Sequence, residues 1–234
     1  NRLESVTEPD GSTITYTYDK AGNRATETAV TNGVKTVKTY SYNGRNQLLN
    51  VVQTVDGVTA TKTVYTYDAN GKQLGEKQTT YAIATESGKD ETVTVLENTY
   101  DLRNQLVCSE TSEATIVNIY NAAGYRVGKS VTKNGDTSKT YFLYDGNHVI
   151  MEADEEGVTA KNTYGGPLLL RTEFNGAYET TYQYMYNAHG DVVTLLTEGD
   201  VVATYYYDSF GNILDQTGEV SNSILYAGYQ YDEE

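Results

Sequence analysis

The sequence predicts an all-β protein, a repetitive meander of antiparallel β-hairpins that forms a long curled or spiralling sheet. Three observations support this prediction. The chain has 23 Tyr against 3 Phe and no Trp, and Tyr, Thr and Val dominate its regular stretches, as strands favour. One short phrase, a tyrosine followed by Asp or Asn and then a turn, recurs along the chain. A second turn signal divides each repeat into two halves.

The repeated phrase is clearest at residues 207–213, which read YDSFGNI. Its tyrosines are Tyr18, Tyr42, Tyr67, Tyr100, Tyr120, Tyr144, Tyr186, Tyr207 and Tyr231. Tyr164, in YGGPLLL, reads as a degenerate phrase between Tyr144 and Tyr186. Most steps are about 20–25 residues, a period typical of repeat architectures. We therefore expect residues 1–234 to form a single array of about ten units.

The phrase itself predicts a tight turn. Its Asp or Asn can accept a backbone N–H from within the turn, and the Gly three residues later can adopt the left-handed conformation that closes it. The Asp and Asn residues are Asp19, Asn43, Asp68, Asp101, Asn121, Asp145, Asn187, Asp208 and Asp232. The glycines, with the asparagines that follow two of them, are Gly22, Asn23, Gly71, Gly124, Gly190, Gly211 and Asn212. Asn46 and Asn104 replace Gly in two phrases, and Asn is the next best residue at positive φ. His148 is a poorer substitute, so we expect a distorted turn there.

The second turn signal falls in the middle of each unit. It reads Pro9-Asp10-Gly11, Asn32-Gly33, Asp56-Gly57, Asn134-Gly135, Glu156-Gly157, Asn175-Gly176 and Glu198-Gly199-Asp200. Asn-Gly and Asp-Gly supply the positive φ angles of two-residue hairpin turns. Because alternating β-formers flank these signals, each unit is predicted to be a strand, a tight turn, a second strand and the phrase. The chain is then a meander of about twenty short strands.

A second tyrosine precedes the phrase tyrosine by two residues in six units. These partners are Tyr16, Tyr40, Tyr65, Tyr184, Tyr205 and Tyr229. A spacing of two places both rings on one face of a strand, so equivalent strands would build tyrosine ladders across the sheet. The alternative is that these tyrosines form an exposed platform for sugar rings. The ladder is favoured because the tyrosines recur where packing between units needs them.

One unit is expanded by residues 79–95, TTYAIATESGKDETVTV. Within it, the segment 87–90 reads as a hairpin tip. We expect two lengthened strands that project beyond the sheet edge. The extension is either a contact surface or a neutral lengthening, which repeat proteins tolerate.

Charge and apolar length exclude several classes of protein. The formal net charge of −15 argues against nucleic-acid binding, which needs a basic footprint, and against docking on an anionic membrane. No apolar stretch reaches the roughly 18 residues of a membrane-spanning helix, so no membrane insertion is expected. The chain begins at Asn1-Arg2-Leu3, the tail of a repeat phrase, and ends inside another at residues 231–234. Both ends read as cuts from a longer protein.

No residue pattern predicts catalysis, a cofactor or a metal site. His148 and His189 each fall in a phrase and read as solvated turn residues, and Cys108, the single cysteine, reads as a small buried hydrophobe. Asp154-Glu155-Glu156 lies at a hairpin tip without the alternating ligands of a calcium loop. Gly165-Gly166-Pro167 reads as a turn, since no Lys-Ser/Thr follows it. The phrase residues are therefore predicted to be structural, and the chain is not expected to be an enzyme.

The phrase Y-D-x-x-G-N-x-L at this step resembles the YD repeat, also called the RHS repeat. The resemblance covers essentially the whole chain. Residues 164–234, from YGGPLLLRTEF to YAGYQYDEE, look like the lead-in to the RHS-associated core. The chain stops before the self-cleaving motif of that core, so its residues cannot be carried over.

The resemblance implies a function as well as a fold. Bacterial YD/RHS proteins, toxin-complex subunits and teneurins are similar in forming a spiralling β-shell, which in the bacterial toxins encloses a C-terminal toxin. This segment would then be part of such a wall in a secreted or cell-surface bacterial protein. Its partners would be the rest of its own polypeptide: further repeats, the core and the enclosed domain. The alternative is a cell-wall-associated module that binds surface carbohydrates or mediates adhesion.

Overall fold

The computed structural model describes residues 2–8, 11–82 and 91–231. The chain divides into two compact units, Asn1–Thr115 and Ile116–Glu234. Inside each unit the strands are antiparallel, and each pairs with its sequence neighbour, as expected for β-forming sequences joined by short turns. This confirms the predicted all-β meander of antiparallel hairpins.

The first unit is built from nine strands. They are β1 (Ser5–Thr7), β2 (Thr13–Tyr18), β3 (Arg24–Thr31), β4 (Val34–Tyr42), β5 (Leu48–Val55), β6 (Val58–Tyr67), β7 (Gln73–Tyr81), β8 (Glu91–Tyr100) and β9 (Leu106–Glu110). Tyr16 on β2 lies opposite Glu27 on β3, and Tyr40 on β4 lies opposite Val51 on β5.

The second unit continues the same pattern. After β10 (Ala114–Tyr120), which starts just before the unit boundary, come β11 (Arg126–Lys133), β12 (Asp136–Asp145), β13 (His148–Ala153), β14 (Val158–Tyr164), β15 (Leu168–Asn175), β16 (Tyr178–Tyr186), β17 (Val192–Thr197), β18 (Asp200–Tyr207) and β19 (Ile213–Thr217). A short 3-10 helix, Tyr226–Gly228, follows. Residues 218–231 are named the strap below.

Three of the predicted Asn-Gly and Asp-Gly middle turns are two-residue hairpins with both residues at positive φ. The turn predicted at Asn175-Gly176 lies one residue later, because Asn175 is itself paired with Tyr178 and only Gly176 has a positive φ, of 62°. Asn32 and Gly33 have φ angles of 51° and 81°, and the flanking Thr31 and Val34 are paired. Two positive φ angles in succession give the turn whose twist matches that of the flanking strands. The same pair of positive φ angles occurs at Asp56-Gly57, Asn134-Gly135 and Glu198-Gly199.

A β-bulge recurs immediately before the phrase tyrosine. The register shifts between Thr66 and Tyr67 in the first unit and between Met185 and Tyr186 in the second. A bulge increases the local twist and re-aims the next side chain. Every phrase tyrosine that follows such a bulge is therefore displaced in the same way relative to the residues before it in its strand.

The expanded unit forms paired strands as far as they are described. β7 and β8 are in register from Gly75↔Glu97 to Tyr81↔Glu91. The predicted hairpin tip at Ser87–Asp90 lies outside the described residues. Whether the extension is a contact surface stays a prediction.

The buried core lies in the second unit. Leu168, Tyr184, Leu195, Tyr205 and Leu225 belong to one cluster of buried side chains. It lies on the sheet face that carries the phrase tyrosines and their partners two residues earlier, named the tyrosine face below. In the described part of the first unit, the buried side chains are Tyr16, Ala60 and Thr63.

Among the described residues, no helix has the length and apolar character needed to cross a membrane. The same residues contain no group of three or more His, Cys, Asp or Glu side chains arranged to hold a metal ion.

Candidate functional site

The phrase folds into a five-residue turn, named a corner below, and the corner at Asp68 shows its construction. The Asp68 amide donates to the carbonyl of Lys72 (2.9 Å), and the Gly71 amide donates back to the carbonyl of Asp68 (3.1 Å). The Asp68 carboxylate accepts from the amides of Asn70 (2.9 Å) and Lys72 (2.8 Å). Gly71 has φ +94°, a conformation that Gly adopts without steric cost. The carboxylate of Asp68 thus accepts hydrogen bonds from the backbone of its own corner.

The same backbone hydrogen bonds form at six other phrases, whose corners begin at Asp19, Asn43, Asp101, Asn121, Asn187 and Asp208. Asn46 and Asn104 stand where other corners have Gly and adopt φ angles of 60° and 67°. Hydrogen bonds, first that from the Lys72 amide, outweigh burial and hold the pKa of Asp68 below its usual range. A carboxylate stabilised by its own turn is poorly suited to act as a general acid or base near neutral pH.

The phrase tyrosine joins each corner to the one before it. The Tyr67 hydroxyl donates to the carbonyl of Leu48 (2.9 Å), the residue just after the preceding corner. We name this hydrogen bond a tether. Others with the same role run from Tyr18 to Leu3, Tyr42 to Arg24, Tyr100 to Gln73, Tyr144 to Arg126, Tyr164 to Val149, Tyr186 to Leu168 and Tyr207 to Val192. Their lengths are 2.7–3.1 Å, the range of well-formed hydrogen bonds.

The tyrosine face agrees with the predicted ladder more than with an exposed sugar platform. Tyr16, Tyr184 and Tyr205 are 5%, 5% and 8% exposed, so their rings are packed. Burial raises the pKa of Tyr186 to about 12, which keeps the tethering hydroxyl protonated as a donor. Tyr229 is the exception, because it is 75% exposed and lies outside the strands.

Two phrases depart from the corner geometry. Asp145 is the last residue of β12 and pairs with His148, the first residue of β13, so a two-residue turn replaces the corner. The prediction that His148 is a solvated residue of a distorted turn is therefore wrong. Its ring stacks on Tyr164, with centroids 4.3 Å apart. At the degenerate phrase, the Gly165 amide donates to the carbonyl of Pro167 (3.0 Å) and closes a short turn.

The strap contains a corner that the sequence pattern does not reveal. The Leu225 amide donates to the carbonyl of Tyr229 (3.1 Å), and the Gly228 amide donates back to the carbonyl of Leu225 (3.1 Å). Ile224 is bridged to Gln230, with the same spacing as Tyr67 and Gln73 in β6 and β7. Because Leu stands in the Asp position and Ile in the tyrosine position, the phrase signature is absent.

The corner in the strap begins at Leu225, six residues before Tyr231. Whether Tyr231 opens a further phrase stays a prediction. Asp232, its predicted partner, lies outside the described residues. Tyr229 and Tyr231 are 75% and 52% exposed, so neither ring extends the ladder.

The strap corner docks on the tyrosine face. The Val192 amide donates to the carbonyl of Leu225 (3.2 Å), and the Tyr184 hydroxyl donates to Oδ1 of Asn222 (2.8 Å). Leu225 is 5% exposed and Asn222 is 3% exposed. The strap therefore supplies both an apolar side chain and a buried acceptor to the cluster.

The carboxylate of Asp191 links the strap to the corner at 187–191. Its Oδ1 accepts from the Ala227 amide (2.9 Å) and lies 2.8 Å from Nδ1 of His189. Burial raises the pKa of Asp191, but hydrogen bonds from His189, Asn187 and Ala227 outweigh it and hold the pKa below its usual range. His189 thus lies in a corner, as predicted, but it is also paired.

Arg171 forms a buried charge cluster that sequence reasoning missed. Nη1 and Nη2 of Arg171 lie 2.7 and 3.0 Å from the two oxygens of Glu152, and Nε lies 2.9 Å from Glu173. Burial lowers the pKa of Arg171, but the two glutamates outweigh it and raise that pKa above its usual range. Alternation along β13 and β15 is the signal that could have placed these charges together. No buried polar side-chain atom of the described residues lacks a hydrogen-bond partner.

The remaining residues singled out in the sequence have ordinary surroundings. Cys108 is half-buried. Asp154 accepts the amides of Glu156 and Gly157, which closes its own hairpin. Glu155 pairs with Lys139 at 2.7 Å. None of them converges with another on a chemical site.

Comparison with known proteins identifies relatives of the whole segment. A family described as RHS Repeat matches residues 1–36. The chain is 35% identical over 241 residues to the tRNA3(Ser)-specific nuclease WapA of Bacillus spizizenii. It is 34% identical over 239 residues to the tRNA nuclease WapA of Bacillus subtilis. Both alignments cover 100% of this chain but only 9% of the relative, so the chain spans a small part of these proteins' length.

Among solved structures, the crystal structure of TcdB2-TccC3 is similar to this chain with a TM-score of 0.49 and 15% sequence identity. The likeness covers 92% of this chain and 12% of that chain.

Proposed function

This chain belongs to the RHS-repeat family, and we propose that it builds part of a β-sheet wall that encloses a C-terminal toxin or other cargo. The wall would belong to a larger bacterial polypeptide that is secreted or held at the cell surface. The two compact units would be consecutive parts of one continuous array. The partners of this segment would be the further repeats, the core and the enclosed domain of the same polypeptide.

The series of tethers is the observation that carries this proposal. Each tether joins a corner to the next one along the sheet, as Tyr67 does with Leu48. A wall needs such links, because hairpins joined only through their strands can shift in register or splay at the turns. Individually a hydrogen bond contributes about 0.5–1.5 kcal/mol, but a series along one edge makes neighbouring corners depend on each other.

The polar groups of the corners support a structural role rather than a catalytic one. The Asp68 carboxylate accepts two amides of its own turn, and the tyrosine hydroxyls donate to backbone carbonyls. These repeated side chains therefore serve the sheet. The nuclease activity named for the WapA relatives would belong to parts of those proteins outside the region that this chain matches.

A repeat-wide sugar platform is a weaker candidate. Tyr205, one of the tyrosines that would form the platform, is 8% exposed, and its ring packs in the core cluster. A platform needs exposed ring faces, so the ladder tyrosines do not favour this function.

Proteolysis of the full-length polypeptide that contains this chain tests the enclosure. We expect its C-terminal domain to be resistant to protease in the native protein. Gly71→Val should weaken that protection, because Gly71 has φ +94° and Val is strained there. Gly44→Val is the matched control, since a Cβ at Gly44 meets open space.

Two outcomes would contradict the proposal. The first is a C-terminal domain that is cleaved in the native protein as fast as after unfolding. The second is equal protection in the Gly71→Val and wild-type proteins when the variant sheet is shown by circular dichroism to be disrupted.

A further inference from the structure

Glutamates occupy an equivalent position on the tyrosine face in three repeats. Each lies on the strand that follows a phrase tyrosine, directly opposite the residue two positions before that tyrosine. The three pairs are Glu27 with Tyr16, Glu76 with Tyr65 and Glu152 with Phe142. Because residues opposite each other on neighbouring strands share one face of the sheet, each carboxylate lies on the same face as an aromatic ring. One site can therefore be compared with two equivalents in the same chain.

Two of the three carboxylates are neutralised by cations of their own sheet. Nη1 of Arg24 lies 2.8 Å from Glu27, and Nζ of Lys38 lies 2.9 Å from it. Arg24 stands three residues before Glu27, and Lys38 is directly opposite Glu27 on β4. At the third repeat, Glu152 is contacted by both Nη atoms of Arg171. A glutamate at this position is thus a binding site for a basic side chain.

Glu76 lacks such a cation. Gln73 stands three residues before it, and Leu96 lies directly opposite it on β8, so neutral side chains fill both positions that carry cations around Glu27. Within the described part of the chain, the Glu76 carboxylate forms no hydrogen bond or ion pair. Burial alone raises the pKa of Glu76 above its usual range, as expected for a half-buried carboxylate without a compensating charge.

The side chain of Tyr65 lies beside this carboxylate. Burial and then the charge of Glu76 raise the pKa of Tyr65, and its hydroxyl has no hydrogen-bond partner among the described residues. At the matching position of the second unit, the Tyr184 hydroxyl donates to Asn222 of the strap. The Tyr65 site thus presents a negative charge, a free hydroxyl and a half-buried aromatic ring.

The first repeat shows how these groups hold an arginine. While Nη1 of Arg24 contacts Glu27, the guanidinium carbon lies 4.7 Å from the centroid of the Tyr40 ring. This distance is within the range of a cation–π interaction. A guanidinium suits a half-buried carboxylate beside a ring better than an ammonium does, because it is planar, weakly hydrated and able to donate two parallel hydrogen bonds.

We propose that Glu76 and Tyr65 bind the guanidinium of an arginine on a segment that crosses the tyrosine face of the first unit. The segment belongs to the same larger polypeptide, as the strap belongs to the chain whose second tyrosine face it covers. In this one respect, a larger polypeptide, the inference rests on the proposed function. The net charge of −15 also favours a cationic partner.

An NMR titration of the full chain with N-acetylarginine N-methylamide tests the site. We expect saturable shifts of the backbone amides of Tyr65, Glu76 and Leu96. The citrulline analogue, which has nearly the same shape without the charge, should cause no saturable shifts, and the lysine analogue should bind more weakly than arginine. Glu76→Gln should weaken arginine binding at least about tenfold, because a charge-assisted hydrogen bond is lost.

Glu97→Gln is the matched control for charge. Glu97 is the neighbour of Leu96 on β8 and is exposed, and the alternation of side chains along a strand places it on the opposite face. The affinity for arginine should therefore stay unchanged. Gln73→Arg gives a second readout, since it places an arginine where Arg24 stands in the first repeat. It should fill the site, block the probe and raise the thermal unfolding midpoint.

Four outcomes would overturn the arginine site. They are no binding of the arginine probe, equal binding of the citrulline or lysine analogue, equal weakening by Glu97→Gln and Glu76→Gln, and unchanged binding in Gln73→Arg. A thermal unfolding curve for each variant shows whether the fold is kept.

Photocrosslinking in the full-length polypeptide tests where the arginine comes from. With Leu96 replaced by p-benzoylphenylalanine, we expect a crosslink to an arginine-containing segment of the same polypeptide outside residues 1–234. A crosslink to a different protein, or only within residues 1–234, would overturn this source. The protease experiment on the C-terminal domain measures enclosure separately, so either proposal can fail while the other holds.

Discussion

The tyrosine pairs of β2 and β18 begin from the same Tyr-x-Tyr pattern but have different surroundings. Tyr205 on β18 belongs to a buried cluster that the strap completes with Leu225. Tyr16 on β2 is also buried, but the described part of the first unit adds only Ala60 and Thr63 to its buried side chains. The repeats therefore build the sheet, whereas the core of the second unit depends on a segment that follows the last regular repeat.

The difference separates two sources of stability. The second unit gains from apolar burial, at about 25 cal/mol per Å² removed from water. The first unit depends on strand pairing, tethers and partly exposed ion pairs such as Glu27 with Lys38, whose side chains are 15% and 37% exposed. Pairs of that exposure contribute about 0–1 kcal/mol. Each of the following experiments compares a change in or near the strap contact with a matched change elsewhere.

The largest effect is expected from Leu225→Ala. This substitution empties a site that is 95% buried, since Leu225 is 5% exposed, and such cavities lower the free energy of unfolding by about 2–5 kcal/mol. Leu74→Ala in β7 is the control, because Leu74 is 41% exposed. Urea unfolding measures both. Equal losses would mean that the strap does not stabilise the second unit.

A smaller effect is expected from Gly211→Ala. Gly211 has φ +90°, and a Cβ there would lie 2.6 Å from the Tyr226 ring, whereas Gly190 has φ +94° and open space around it. Both Ala variants carry the left-handed strain of about 1–2 kcal/mol. Only Gly211→Ala must also displace Tyr226, so its unfolding midpoint in urea should fall further than that of Gly190→Ala. Identical midpoints would show that the strap yields without cost.

The next effect in size is that of Tyr184→Phe. It removes the hydroxyl that donates to Asn222, and loss of such a buried hydrogen bond costs about 1 kcal/mol. Tyr65→Phe, at the matching position of the first unit, should change the free energy of unfolding by less than about 0.5 kcal/mol. A larger loss for Tyr65→Phe would contradict the contrast between the units.

The smallest effect is expected from acid. Because the pKa of Asp191 is held below its usual range in the folded state, its contribution is fully present above the unfolded value of about 3.9. It is lost as pH falls through the folded pKa. The protection factor of the Ala227 amide, which donates to Asp191, should therefore fall on acidification before the protection factors of the amides in β16. Asp191→Asn should remove this early step, and its persistence in that variant would assign the step to another group.

The fold follows from the sequence because its turns carry explicit signals. Residue pairs such as Asn32-Gly33, and Asp68 with Gly71, predict the backbone conformation of their turns. The spacing between these turns then predicts where each strand begins and ends. The sequence identifies the phrase tyrosines but does not predict the tethers, because the spacing of tyrosines does not show which acceptor each hydroxyl reaches. The position of each phrase tyrosine directly after a β-bulge directs its hydroxyl to the tether, and this bulge is not evident from the sequence.

The strap is where sequence reasoning failed. Its corner has Leu225 in place of Asp and Ile224 in place of tyrosine, so backbone hydrogen bonds and Gly228 form the turn without the recurring side chains. Similarly, a phrase of constant length predicts that His148 lies in a turn, whereas Gly146, with φ +59°, allows a shorter turn that leaves His148 at the start of β13.

Because of the tethers, the two margins of each sheet differ in how well they tolerate insertions. Tyr42, Tyr67 and Tyr100 link successive corners along one margin through their tethers. The opposite margin carries the middle turns, and there β7 ends at Tyr81 and β8 begins at Glu91. The lengthened pair keeps its tether, from Tyr100 to Gln73. One margin is therefore fixed by the tethers between its corners, while the other can accommodate insertions that lengthen the hairpins.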